Sequence, residues 1–413
     1  MVTLSDKLKS LGVKVGARDV PPPPPQPRPR YPIEEVVAGH FHPTRLGEAF
    51  VVENSYPADY RHGRASLITT ASLVTIAEWA DAPHLTTRNL DRFAFLDVET
   101  TGLSGGTGTY AFLIGVGRFA GDCFQLKQLF MRDPAEEPAV LAALSEFLDP
   151  LDALVTFNGK AFDAPLLRAR YVMNGMRAPF EAAAHLDLLP LARRLWRDRL
   201  ESRALGSLET HILGAQRTGE DIPGWLIPAL YFDYVRDGDA RPMKGILYHN
   251  AMDVAAMAAL LGHMAQMLDQ PLAFAVEHGL DLIAIARLFE DLGRLDEAAT
   301  LYTRGLEYEV SEETFRETMR RLSFVHRRRG NLELAVELWR NAAHGRQVYA
   351  YVELAKYYEH RARDYSEALR QTRAALDIIN ARDFPRGERA KWLKELERRL
   401  ERLEGKLKAR LGS

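Results

Sequence analysis

The 413-residue chain has little cysteine, little net charge and no long apolar run, and each shortage excludes a class of protein. Cys123 is the only cysteine, so intramolecular disulfides and zinc sites built on paired thiolates are excluded, which fits a reducing cytoplasm. The formal net charge is −2, so contact with a polyanion would have to come from local basic patches rather than from the mean field. No apolar run approaches the length needed to span a bilayer, and Met1 to Lys7 lacks the apolar core of a signal peptide. The expectation is a cytoplasmic protein with no membrane partner.

What is present is ordinary globular material, with 46% apolar and 27% charged residues in enough chain for two or three domains. Residues 1–38 read as a Pro-rich tail. In it Leu4, Leu8 and Leu11 have helical spacing ahead of the extended run Pro21 to Arg30. It is either a tether or a spacer behind a docking helix. Residues 39–270 carry the chemistry. Short strands at Ala49–Val52 and Ala65–Ile68 surround a turn at His62-Gly63, and a helix is expected within Thr70 to Ala80. His40, His42 and His62 match no metal-ligand spacing and are expected at the surface or at caps. From Phe93 three strands with short connections predict an antiparallel meander. Strands near Asp152–Phe157 and His185–Leu189 then alternate with helices, which makes a mixed α/β sheet. Arg193, Arg194, Arg197, Arg199 and Arg203 form either a solvated helix face or a phosphate-tracking surface. Asn250 looks like the N-cap of a helix from Ala251 to Met267.

Residues 271–413 read as all-α, with an internal repeat. Gly293 to Ala299, Gly330 to Val336 and Arg363 to Leu369 echo one another, placing Ala298, Ala335 and Ala368 near the tetratricopeptide period of about 34 residues. The third copy lacks the turn glycine. Leu393, Leu396, Leu400, Leu403 and Leu407 then form a capping helix or a self-association seam, in a segment whose ten Lys/Arg outnumber five Glu.

The chemistry centres on Phe93-Ala94-Phe95-Leu96-Asp97-Val98-Glu99. Alternate side chains of a strand share a face, so Asp97 and Glu99 lie side by side. Two like charges about 5 Å apart repel by about 3 kcal/mol at an effective dielectric of about 20. A divalent cation between them turns the repulsion into ligation. Asp163 at a strand-to-helix junction and Asp253 on an apolar helix are candidate further ligands. Asp187, inside a short apolar strand, is either a ligand or a structural group. Four such acids can hold two ions, and oxygen ligands favour Mg2+ or Mn2+. His249, four residues before Asp253, is the candidate general base.

Leu96 to Leu103 resembles the first motif of the DEDD, or DnaQ-like, 3′–5′ exonucleases of the ribonuclease-H-like superfamily. Asn158 with Phe162-Asp163 is similar to the second motif, and His249 to Asp253 to the third. Ser104 to Thr109, Ser207-Leu208-Glu209, Asp221 to Trp225 and the tetratricopeptide tail resemble the bacterial YprB-like branch. The resemblance implies a ribonuclease-H-like mixed-sheet domain followed by a tetratricopeptide domain. It implies an enzyme that removes nucleotides from 3′ ends, with Asp97, Glu99, Asp163 and Asp253 as ligands. Thr101, Asn158 and Phe162 are candidate substrate contacts, Phe162 either stacking on a base or joining the core. DNA in repair is the implied substrate, with RNA 3′ ends or a non-catalytic adaptor as alternatives. Single-stranded ends are expected, and a protein partner, a helicase among the candidate classes, is expected on the repeats or the tail. The superfamily usually places a His five residues, or a Tyr four residues, before the last Asp. Here Tyr248 and His249 exchange those places.

Overall fold

The computed structural model describes residues 31–87, 89–102, 108–274 and 276–411. The tail with Leu4, Leu8 and Leu11, and most of the Ser104 to Thr109 motif, lie outside the described residues.

Among the described residues nine strands occur: β1 (His40–Thr44), β2 (Gly47–Pro57), β3 (Arg61–His62), β4 (Ala65–Ser66), β5 (Phe93–Thr100), β6 (Ala111–Ala120), β7 (Cys123–Phe130), β8 (Ala153–Thr156) and β9 (Ala184–Asp187). The expected meander β5–β6–β7 is antiparallel, and β8 and β9 add in parallel beside β5. The full sheet runs β1-β2-β7-β6-β5-β8-β9, so the N-terminal strands extend it beyond β7, while β3 and β4 form a separate hairpin. Only Val74–Trp79 of the expected Thr70–Ala80 helix is α-helical.

Helices cover both faces, as a sheet buried on both sides requires. On one face α1 (Glu137–Leu148) and α2 (Asp163–Met173) pack over Ala94, Leu96, Leu113 and Leu154. On the other, Phe93, Phe95, Phe124 and Val155 meet α3 (Leu188–Trp196) and the long α5 (Met243–Asp269), with α4 (Ile227–Asp237) between α3 and α5 in the chain. By length and composition α5 is apolar enough to cross a membrane, contrary to the expectation from sequence. Yet 78% of its most apolar window is buried, and it serves here as the core helix. It also starts seven residues before Asn250, directly after Pro242. Asn250 is therefore no cap but a fully buried mid-helix side chain.

The helical region begins with α6 (Gly279–Asp291) and α7 (Leu295–Gly305). It continues with α8 (Glu312–Arg328), α9 (Leu332–His344), α10 (Val348–Tyr357), α11 (Tyr365–Ile379) and α12 (Arg386–Leu411). Ala298, Ala335 and Ala368 are each fully buried, as close helix approach requires. The first pair shares one core with α5 and α3, so the pattern change near residue 271 is not a break in packing. Ion pairs reinforce the junction: Arg199 to Asp281, Arg194 to Asp291 and Arg287 to Asp198. Arg203 donates to its neighbours' carbonyls and Arg197 pairs with Asp198. Four of the five arginines of the basic segment are thus engaged within the protein, while Arg193 and Arg197 stay exposed.

Gly293 and Gly330 turn the first two hairpins at φ 79° and 82°, and Arg363 takes the same left-handed conformation at φ 55°. A side chain there costs about 1–2 kcal/mol, partly offset in glycine by backbone entropy. Arg363→Gly should therefore raise the urea midpoint by about 0.5–1 kcal/mol of stability at unchanged slope. Helix α12 buries Leu396 and Leu403 completely. It also aims Arg399, Arg402 and Lys406 at buried Glu359, which holds that carboxyl down to about 2 against the cost of burial. It caps the last pair.

Candidate active site

The acids predicted from sequence come together at the end of β5. Asp97 and Glu99 continue the row Phe93, Phe95 along one strand face. Asp163 opens α2, and Asp253 projects from α5. All four are partly buried. Burial pushes Asp97 well above the usual carboxylate range, and repulsion from Asp253, Glu99 and Asp163 adds to it. Burial likewise raises Glu99 to about 7, with His249 and Arg217 pulling it down and the acids Asp253 and Asp163 pushing it up. Asp163 also reaches about 7, through burial and then repulsion from Asp187 and Asp253. Asp253 is raised by burial despite the nearby Arg217 and His249. Mutual repulsion among semi-buried carboxylates is the electrostatic signature of a site that fits divalent cations. Among the described residues no three His, Cys, Asp or Glu side chains are already gathered as a metal-holding group.

Packing fixes Asp97. Its Oδ2 accepts a 2.8 Å bond from Asn250 Nδ2, and Asn250 Oδ1 accepts one of 2.8 Å from Gln128 Nε2, which also reaches the Leu247 carbonyl. Gly115, paired with Asp97 across β5 and β6, makes room for this crossing: a Cβ there would lie 2.3 Å from Asn250 Oδ1. Gly115→Ala should cost about 1–3 kcal/mol in denaturant unfolding and lower activity as well, because it displaces the bond that orients Asp97.

Asp187 makes structural bonds. It caps α3 through Leu189 N at 3.1 Å and accepts from Asn158 N at 2.7 Å and Lys160 N at 3.1 Å, holding the loop that presents Asp163. Asn158 sits in that loop at φ 69°. Phe162 is 57% exposed rather than in the core. It lines a cleft of about 490 Å³ with Glu99, Asp163, Gly224 and Pro228. Trp225, beside Gly224, is 78% exposed. Thr101 lies outside this cleft lining, and its hydroxyl accepts from Tyr110 N at 2.9 Å, a local structural bond.

The helical course through residues 248 and 249 separates their side chains by about 100°. Tyr248 turns away, its hydroxyl accepting from Thr218 N at 2.9 Å. His249 faces the acids: its Nδ1–H donates to Asp221 Oδ1 at 2.8 Å and its Nε2 lies 3.7 Å from Asp253 Oδ2, so in the neutral ring Nε2 is the nitrogen open to a proton. Asp221 thereby selects the tautomer.

Other residues here carried no role in the sequence reading. Arg217 bridges Asp253 and Glu209, and Glu209 accepts a 2.9 Å contact from His62 Nε2. His62 is therefore buried, not a surface or capping group, because an acid at 2% exposure needs partners on both oxygens. His40 and His42 do lie outside the site, with His42 paired to Glu146.

Comparison with known proteins gives the domain a superfamily. A family model of the RNase_H superfamily, RNase_H_2, matches residues 94–265, which span the sheet from β5 and all four acids. The uncharacterized protein YprB of Bacillus subtilis (strain 168) is 32% identical over 332 residues, covering 78% of this chain and 79% of that one. The chain belongs to the YprB family. Within it, the first region is a ribonuclease-H-like mixed-sheet domain and the second is largely helical. Ribonuclease-H-like proteins are commonly nucleases and typically use divalent metals.

Proposed function

We propose that this YprB-family protein is a metal-dependent 3′–5′ exonuclease of the DEDD type. The observation that carries the reading is the convergence of four mutually repelling carboxylates beside a histidine whose tautomer is set by Asp221. Asp97, Glu99, Asp163 and Asp253 are the ligands for two Mg2+ or Mn2+ ions. When bound, such ions supply Lewis acidity toward a phosphodiester and lower the pKa of water.

The remaining steps belong to the chain. Asn250 holds Asp97 at a fixed angle, and Asp187 holds the loop that carries Asp163. His249 Nε2 takes the proton of the attacking water, and Asp221 stabilises the imidazolium that results. Phe162, exposed at the cleft, stacks on the terminal base. That favours an unpaired 3′ end. DNA during repair is the proposed substrate, by resemblance of the branch. The helical pairs are of tetratricopeptide type and recruit a protein partner such as a helicase, in the cytoplasm.

The test is degradation of matched DNA and RNA oligonucleotides, single- and double-stranded, with either end blocked, in Mg2+ and in Mn2+. Blocking the 3′ end should stop product release and blocking the 5′ end should not. Equal loss from both ends, or internal cuts, would refute the polarity. Binding without turnover by any substrate would favour the adaptor.

A further inference from the structure

Arg217 brings a permanent positive charge to acids that otherwise repel. Its guanidinium bonds Asp253 Oδ1 and Glu209 Oε2, and Nη1 lies 3.6 Å from Asp221 Oδ2 and 3.3 Å from His249 Nδ1. The two main anchors differ in kind. Glu209 is 2% exposed and rides on the π-helical turn Glu209–Leu213. Its Oε1 is held by His62, and Arg217 Nε also reaches its Oε2 at 2.9 Å, so this anchor is fixed. Asp253 is a ligand in the functional reading above. An arginine and a divalent ion compete for that carboxylate, because each needs its charge and its lone pairs.

We propose that Arg217 holds Asp253 until a divalent ion displaces it, and then, kept near by Glu209, binds a phosphate of the substrate. The inference rests on the exonuclease reading and adds the residue that exchanges partners. A guanidinium suits both states, since its planar fork matches carboxylate and phosphate alike. The tether matters because a side chain released from both anchors would lose the geometry that makes phosphate contact specific.

The experiment measures Mn2+ affinity by isothermal titration without nucleic acid, then KM for a single-stranded oligonucleotide. Wild type is compared with Arg217→Gln, Arg217→Ala and Arg217→Lys. With the competing charge removed, Arg217→Gln and Arg217→Ala should bind Mn2+ about tenfold more tightly, while KM rises about tenfold or more. Arg217→Lys keeps the charge and should leave Mn2+ affinity near that of wild type, which separates loss of charge from loss of structure. A metal-free melt checks folding, and Arg217→Gln, close in size, guards against a misfolded Arg217→Ala. Unchanged or weaker Mn2+ binding in a folded neutral variant overturns the exchange, and so does an unchanged KM. A wild-type protein that takes up no cation overturns the functional reading itself.

Discussion

Asp97→Asn should abolish turnover yet make the metal-free protein more stable. Losing one ligand of a two-ion site removes several kcal/mol of transition-state stabilisation, and at about 1.4 kcal/mol per tenfold the rate should fall by about 10³–10⁴. The same change deletes a charge that burial and three neighbouring acids disfavour. Asparagine keeps the shape and can still accept the Asn250 bond. Relief of a repulsion of about 3 kcal/mol should raise the metal-free melting temperature by several degrees. Opposite signs in the two measurements identify an acid kept for function rather than folding. A fall in both would mean that Asp97 is structural.

The second large effect is the pH dependence of metal stabilisation. Glu99 and Asp163 titrate near 7 in the folded protein, above their ordinary carboxylate values. The fold therefore binds protons more tightly than the unfolded chain does. Their contribution to stability is complete below the ordinary carboxylate range and is lost as pH rises through about 7. Without metal, stability should decline from about pH 4 to pH 7 on this account. A divalent ion takes the place of those protons, so Mn2+ should stabilise strongly at pH 8 and weakly at pH 5. An ion at 100 times its Kd adds about 2.7 kcal/mol, or about 3 °C in the melting temperature of a chain of this length. Thermal scans with and without Mn2+ across that range check the sign. A gain that is larger at pH 5 would contradict it.

The legible parts of this molecule were those with local signals. The acidic row on β5, the junction carrying Asp163 and the hairpin alanines each announce themselves within a few residues. Asn250 misled because asparagine before an apolar run is a common cap. Its side chain is instead used across the sheet, by Gln128 and Asp97, and the helix starts at Met243, directly after Pro242. The arginines near residue 199 read as a free basic face because partners such as Asp281 and Asp291 lie more than eighty positions away. Arg217 and Glu209 were invisible as a pair for the opposite reason. Eight residues apart in an irregular segment, they share no periodicity that would predict contact. His62 could have been suspected from the hairpin turn beside it, but its partner Glu209 lies 147 positions on.

The central claim is that these four carboxylates form a two-cation site. Isothermal titration of the wild-type protein with Mn2+ at pH 8, alongside Asp97→Asn, tests it most directly. Two ions per chain in wild type, with tight binding lost in Asp97→Asn, is the predicted result. No uptake by wild type, or the same uptake by the variant, would contradict it.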